Sequence, residues 1–236
     1  MNRRSFFKWL GIGTTAAIVV PKLLADSTKE LNATQDWIWK NEWGPLVTWQ
    51  EPKGSADYSI GVEVGSGLEH HSPSCISVMR MGGIGEPDRQ VAEFTSTTIT
   101  PPDLTLIVAQ IARKYSANCT DPRGPLLVIE QVRGYGDVVQ NQLKIMGFTR
   151  FFVTTKYRLN NPPMKKDGWY TTAFSAPILA NRFSTAIRTG WYKPRSVHLN
   201  EIANKSEREM LSNSHIMAAA QSYAGRHNFD DLTRKG

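Results

Sequence analysis

Four apolar residues, Leu126 to Ile129, run into one acid, Glu130, and then into a glycine-spaced turn, Arg133-Gly-Tyr-Gly136. Gly124-Pro125 precedes the run, so it reads as a short, fully buried strand. Beyond the turn, Val138, Val139, Gln142, Leu143 and Met146 recur at three- and four-residue spacing up to Gly147, the pattern of an amphipathic helix with a glycine stop. A strand, a carboxylate at its end, a glycine turn and a helix start occur where open α/β sheets carry their chemistry. A solvated strand-end acid is the plainer alternative for Glu130.

The flanking segments extend this unit. Tyr58 to Val64 alternates as a strand with Tyr58, Ile60, Val62 and Val64 on one face and Glu63, beside Gly61, on the other. Ser74–Arg80 and Arg89–Thr95 read as two further strands, joined by short turns into an antiparallel meander. Pro101-Pro-Asp103 opens a helix whose stripe is Leu104, Ile107, Val108, Ile111 and Ala112. After the central strand and its helix, Arg150–Thr154 reads as a fifth strand. Further on come a basic loop or hairpin with Lys156, Arg158, Lys165 and Lys166, a helix ending near Ile187, a short strand within 191–199, and a final helix capped by Ser206.

The order β-β-β-α-β-α-β resembles the ribonuclease-H-like architecture, an α/β fold with a mixed sheet flanked by helices. In that architecture the first and fourth strands are neighbours, so Glu63 and Glu130 would meet. Two close carboxylates repel unless a cation lies between them, which suggests Mg²⁺ or Mn²⁺ on hard oxygen ligands. Such ions can activate water at a phosphodiester and stabilise the leaving oxygen.

Composition sets limits on partners. The 236-residue chain has 40% hydrophobic residues and seven tryptophans, enough for a sizeable core. Its formal charge is +7, but Arg3, Arg4, Lys8 and Lys22 stand in the first 25 residues without an acid. Removing those four from the 28 basic residues leaves a body of +3 against 21 acids. A mildly basic body permits a polyanionic partner without requiring one. Cys75 and Cys119 make neither a disulfide framework nor a zinc spacing. His198 and His215 could serve as general bases, although a histidine near an apolar helix is more often a satisfied core residue.

The first 25 residues, with a basic head, an apolar stretch and Ala25 before Asp26, have the parts of an export signal, and Arg3-Arg4-Ser5-Phe6-Phe7-Lys8 resembles the twin-arginine pattern. An amphipathic packing helix is the alternative. Residues 26–56 form a tryptophan-rich extension and linker, 57–225 the body, and 226–236 a polar tail.

Four segments of the body resemble the nuclease domain of the large terminase subunit of tailed phages. They are Tyr58-Ser-Ile-Gly-Val-Glu-Val-Gly-Ser-Gly67, Val128-Ile-Glu-Gln-Val-Arg-Gly-Tyr-Gly136 with Leu143-Lys-Ile-Met-Gly-Phe148, Gly168-Trp-Tyr-Thr-Thr172, and Ile216-Met-Ala-Ala-Ala-Gln-Ser-Tyr223. The resemblance implies metal-dependent cleavage of double-stranded DNA, with Glu63 and Glu130 as metal ligands. It places Asn213 and Ser214 where the family has an Asp-Asp pair, and it has an aspartate at the Glu63 position. Arg133, Lys156, Arg158, Lys165 and Lys166 would approach phosphates. The sequence contains no Gly-x-x-x-x-Gly-Lys-Ser/Thr loop, so no nucleotide cofactor is expected, and the motor or portal would be a separate chain. Two functions follow: a DNA-associated nuclease-like domain with a degenerate two-metal site, or an active endonuclease of phage genome packaging. Packaging implies the host cytoplasm, whereas the leader implies export to the periplasm.

Overall fold

The computed structural model describes residues 46–68, 71–131, 134–158, 161–173, 175–202 and 205–227. The export-signal-like segment, most of the tryptophan-rich extension, Arg133 and residues 228–236 lie outside them.

Five strands form the main path of one sheet: β1 (Leu46–Thr48), β2 (Asp57–Glu63), β3 (Ser74–Met81), β4 (Asp88–Ser96) and β5 (Leu126–Ile129), in spatial order β1-β4-β3-β2-β5. The meander β2-β3-β4 is antiparallel, as its short turns dictate. Helix α1 (Pro101–Ser116) then carries the chain across, so that β5 lies parallel to β2 with Val62 opposite Ile129. Thr100 caps α1 by accepting a hydrogen bond from the Asp103 amide.

One face of the sheet bears Tyr58, Ile60 and Val62, all fully buried, and Tyr58 packs its ring 4.9 Å from that of Tyr115 on α1. Helix α2 (Tyr135–Ile145) buries Val139 and Leu143, but not Val138. Gln140 is buried instead, because its amide accepts from Gln131 and donates to the Asp167 carbonyl. The polar contact outside the helix overrides the hydrophobic stripe.

The fifth strand differs from the sequence reading. Phe151 bridges Leu127 beside β5, and the chain then leaves the sheet as a separate hairpin, β6 (Val153–Arg158) with β7 (Asn161–Asp167). The hairpin returns at Trp169, which bridges Glu130.

The opposite face of the sheet carries α3 (Ser175–Arg188), α4 (Val197–Asn200), α5 (Glu207–Leu211) and α6 (Ser214–His227), while the short β8 (Tyr192–Lys193) joins the sheet parallel to β4. Met79, Val128, Phe183, Tyr192, Ile216 and Ala220 share the core there. The capped helix expected from Ser206 is two helices. Ser206 closes a capping box with Glu209 on α5, and Asn213 then starts α6 by accepting from the amides of His215 and Ile216. A Cβ at Gly61 would overlap the Ala218 carbonyl oxygen, so α6 rests its backbone directly on β2 at that glycine.

Candidate active site

Glu63 is the last residue of β2, and Glu130 follows the last residue of β5. The Glu130 amide donates to the Val62 carbonyl at 3.0 Å, which continues the parallel ladder one step and sets the two acids side by side. The start of α2 lies against Glu130 so closely that a Cβ at Gly136 would overlap the Glu130 carbonyl oxygen. The glycine turn seen in the sequence therefore brings the start of α2 down onto the acid.

Both acids line one cleft of about 200 Å³, together with Val64, Gly65, Ser66, His71, Ser72 and Tyr135. Burial, then the charge of Glu130 and a hydrogen bond to it, push the Glu63 carboxyl well above the usual carboxylate range. The Gln221 amide opposes this by donating to Glu63 Oε2 at 2.8 Å. Glu130 is held by the Thr171 hydroxyl, which donates to its Oε1 while accepting from Trp169 Nε1 at 3.1 Å. Each carboxylate is thus positioned by one neutral donor. Thr171 and Gln221 carry no role in the sequence reading, although both lie in the segments that carry the terminase resemblance. A single polar residue at a strand end or helix face has no periodic signal of its own.

Asn213 and Ser214 stand at the start of α6, with the Asn213 side-chain oxygen occupied as a cap and Ser214 buried. Beside them His215 Nδ1 lies 3.0 Å from Glu93 Oε1 and 3.3 Å from Thr95 Oγ1, and the His198 ring stacks on His215 at 4.0 Å. Thr95 and Cys75 face each other across β4 and β3 in the row that Glu63 ends. Burial raises the Cys75 thiol to about 12, so it is a neutral packing group. Among the basic residues, Lys165 and Lys166 are exposed on β7, while Lys156 and Arg158 lie on the backbone of β6.

Three solved structures share this arrangement of elements. Each is the large terminase nuclease of the thermophilic phage G20c. The form with bound zinc superposes with a TM-score of 0.52 at 14% identity, covering 78% of this chain and 90% of that one. The cobalt form gives 0.51 at 13% identity, with 78% and 89% covered, and the magnesium form 0.50 at 14%, with the same coverage. The fold is that of a terminase nuclease. It is a ribonuclease-H-like mixed sheet flanked by helices, as the strand order in the sequence suggested. No protein-family model matches the sequence, and no curated protein matches it. The terminase-nuclease fold puts the cleft of Glu63 and Glu130 at the carboxyl ends of adjacent parallel strands.

The donor set suits a hard divalent cation. Two adjacent carboxylates reach an open polar cleft, and a cation between them would offset the burial and the neighbouring charge that raise Glu63. No group of three or more His, Cys, Asp or Glu side chains is gathered there among the described residues.

Proposed function

We propose that this chain is a DNA-associated nuclease domain of the large-terminase kind whose metal site is reduced to two carboxylates, with correspondingly weak endonuclease activity on double-stranded DNA. The observation that carries the reading is the Glu63–Glu130 pair in an open cleft. Mg²⁺ or Mn²⁺ held there would polarise a phosphodiester and lower the pKa of a bound water. The chain's own residues do the positioning. Thr171 fixes the Glu130 carboxylate, Gln221 fixes Glu63, and Tyr135 borders the cleft. Lys165 and Lys166, with Lys156, Arg158 and Arg133, would bind the DNA backbone without reading its sequence. Asn213 and Ser214 complete the site only if the start of α6 rearranges to release the cap.

A second reading, a fully active packaging endonuclease, is favoured by His71, which lines the same cleft and would supply a further donor to Mn²⁺. A terminase motor or a portal would be its partner, and the leader would be either retained with cytoplasmic DNA or removed on export. Mass spectrometry of the mature N-terminus distinguishes these two fates.

The test is nicking of supercoiled plasmid by the full chain in Mn²⁺, with Glu130→Gln and EDTA as controls. Slow nicking that requires Glu130 and accelerates in Asn213→Asp supports the reduced site. Rapid nicking that Asn213→Asp does not change supports the second reading. A folded protein that neither nicks nor retards DNA on a gel overturns both.

A further inference from the structure

At the far end of the same sheet lies a second, larger cleft, of about 520 Å³, whose lining is basic and aromatic: Trp49, Lys53, Arg80, Arg89 and Arg195, with Glu86 as its acid. Arg80 is opposite Tyr58 on β2. Glu63 is five residues further along that strand, about 17 Å away at the usual strand rise. The two clefts are separate sites.

The arginines are arranged against stability. Arg80 and Arg89 face each other directly across the β3–β4 ladder, a like-charge pair that weakens a hairpin. The Arg80 side chain is only 14% exposed, and its closest acid, Glu86, is 3.9 Å away and largely in solvent. Nε of Arg80 and Nε of Arg89 are both buried without a hydrogen-bond partner among the described residues. A buried donor left unmade is costly, and two beside an unrelieved charge pair more so. One phosphate between the guanidiniums would satisfy both donors and neutralise the pair, since guanidinium forks match phosphate oxygens. Lys53 and Arg195 add two exposed cations at the rim, and the half-buried indole of Trp49 offers a flat apolar surface beside them.

We propose that this cleft is a nucleotide-phosphate site: the Arg80–Arg89 pair holds the phosphate and Trp49 stacks the base. The lack of a P-loop does not bear on it, because the phosphate would be held by side chains rather than by a glycine loop. The ligand is either a free mononucleotide or an unpaired nucleotide within a nucleic-acid strand, and both present the same group.

Calorimetric titration of the full chain, in EDTA so that the acidic cleft takes no part, distinguishes the sources. One arm uses ATP, one a ten-residue oligothymidylate, and one inorganic phosphate. Saturable binding of ATP, or of the oligonucleotide alone, is expected, weakened at least tenfold in Arg89→Gln and several-fold in Trp49→Ala, and unchanged in Glu130→Gln. Arg195→Gln, at an exposed position that the fold does not depend on, should weaken the same arm, which keeps the test valid if Arg89→Gln misfolds. No binding in either nucleotide arm overturns the proposal. So does oligonucleotide binding that all three variants leave intact, or phosphate binding as tight as the nucleotide's.

Discussion

Glu63 and Glu130 stand one ladder step beyond the Val62–Ile129 pair, and each is steadied by a different distant segment, Gln221 of α6 for one and Thr171 behind the hairpin for the other. The site is built of two acids too close, and one of them too buried, for both to ionise. Burial and the neighbouring charge keep a proton on Glu63, and any cation must displace it. Affinity for Mn²⁺ should therefore rise with pH across the range in which that proton leaves, as calorimetric titrations at several pH values would show.

Removing the charge should separate stability from function. Glu63→Gln keeps the shape and removes the cost of burying a carboxyl that ionises in the unfolded chain, so the metal-free protein should melt a few degrees higher, on the order of 1 kcal/mol. The same variant should lose Mn²⁺-dependent nicking and the thermal shift on adding Mn²⁺. A melting scan with and without the ion measures both.

Gln221→Leu leaves the carboxylates in place but frees Glu63 to rotate. Loss of an orienting partner of this kind typically reduces metal affinity by about 10–100-fold. Titration of Mn²⁺ should show that loss with far-ultraviolet circular dichroism unchanged. An unaltered affinity would mean that Gln221 serves packing alone.

Gly61→Ala tests the seat of α6. The added methyl meets the Ala218 carbonyl, which belongs to helix backbone and cannot swing aside. Destabilisation of about 3 kcal/mol is expected from urea unfolding, at the upper end of overpacking effects.

Acid should open the opposite end of the sheet first. Burial alone would raise the Asp57 carboxyl, but Arg150, bonding both of its oxygens at 2.7 and 2.9 Å, together with hydrogen bonds from the Cys119 thiol and the Tyr58 amide, outweighs this and holds it below its ordinary value of 3.8. A depressed folded-state value means that the pair's contribution is present above about 3.8 and lost as pH falls through the lower folded value. Asp57→Asn should flatten the acid limb of a stability–pH curve while lowering stability at neutral pH.

The elements with strong local periodicity were legible from the residues. The meander, α1 and β5 follow from alternation and proline placement, and the adjacency of Glu63 and Glu130 follows from the resemblance of their order to the ribonuclease-H-like architecture. The hairpin β6–β7 reads in sequence as a sheet strand over 150–154 followed by a basic loop or hairpin, because Phe151 does begin as a sheet partner before the chain leaves. The break between α5 and α6 was missed because Asn213 fits a helix by spacing, and only its side-chain hydrogen bonds to His215 and Ile216 show a new start. Thr171 and Gln221 were unassigned for a related reason: their partners are far away in sequence. The basic cleft around Arg80 and Arg89 was invisible because two arginines flanking a turn read as ordinary surface until the register sets them face to face.

The hairpin does not hang freely from the body. Its foot is stitched to the acid-bearing strand, with Trp169 N donating to the Ile129 carbonyl and Gln131 N to the Trp169 carbonyl, at 2.8 and 2.7 Å. Two residues later the same strand delivers the hydroxyl that grips Glu130. A load near the foot, where Lys165 and Lys166 pair with Thr155 and Thr154, is carried as along a lever into the Glu130 carboxylate. Position on the hairpin and position of the acid are one mechanical variable.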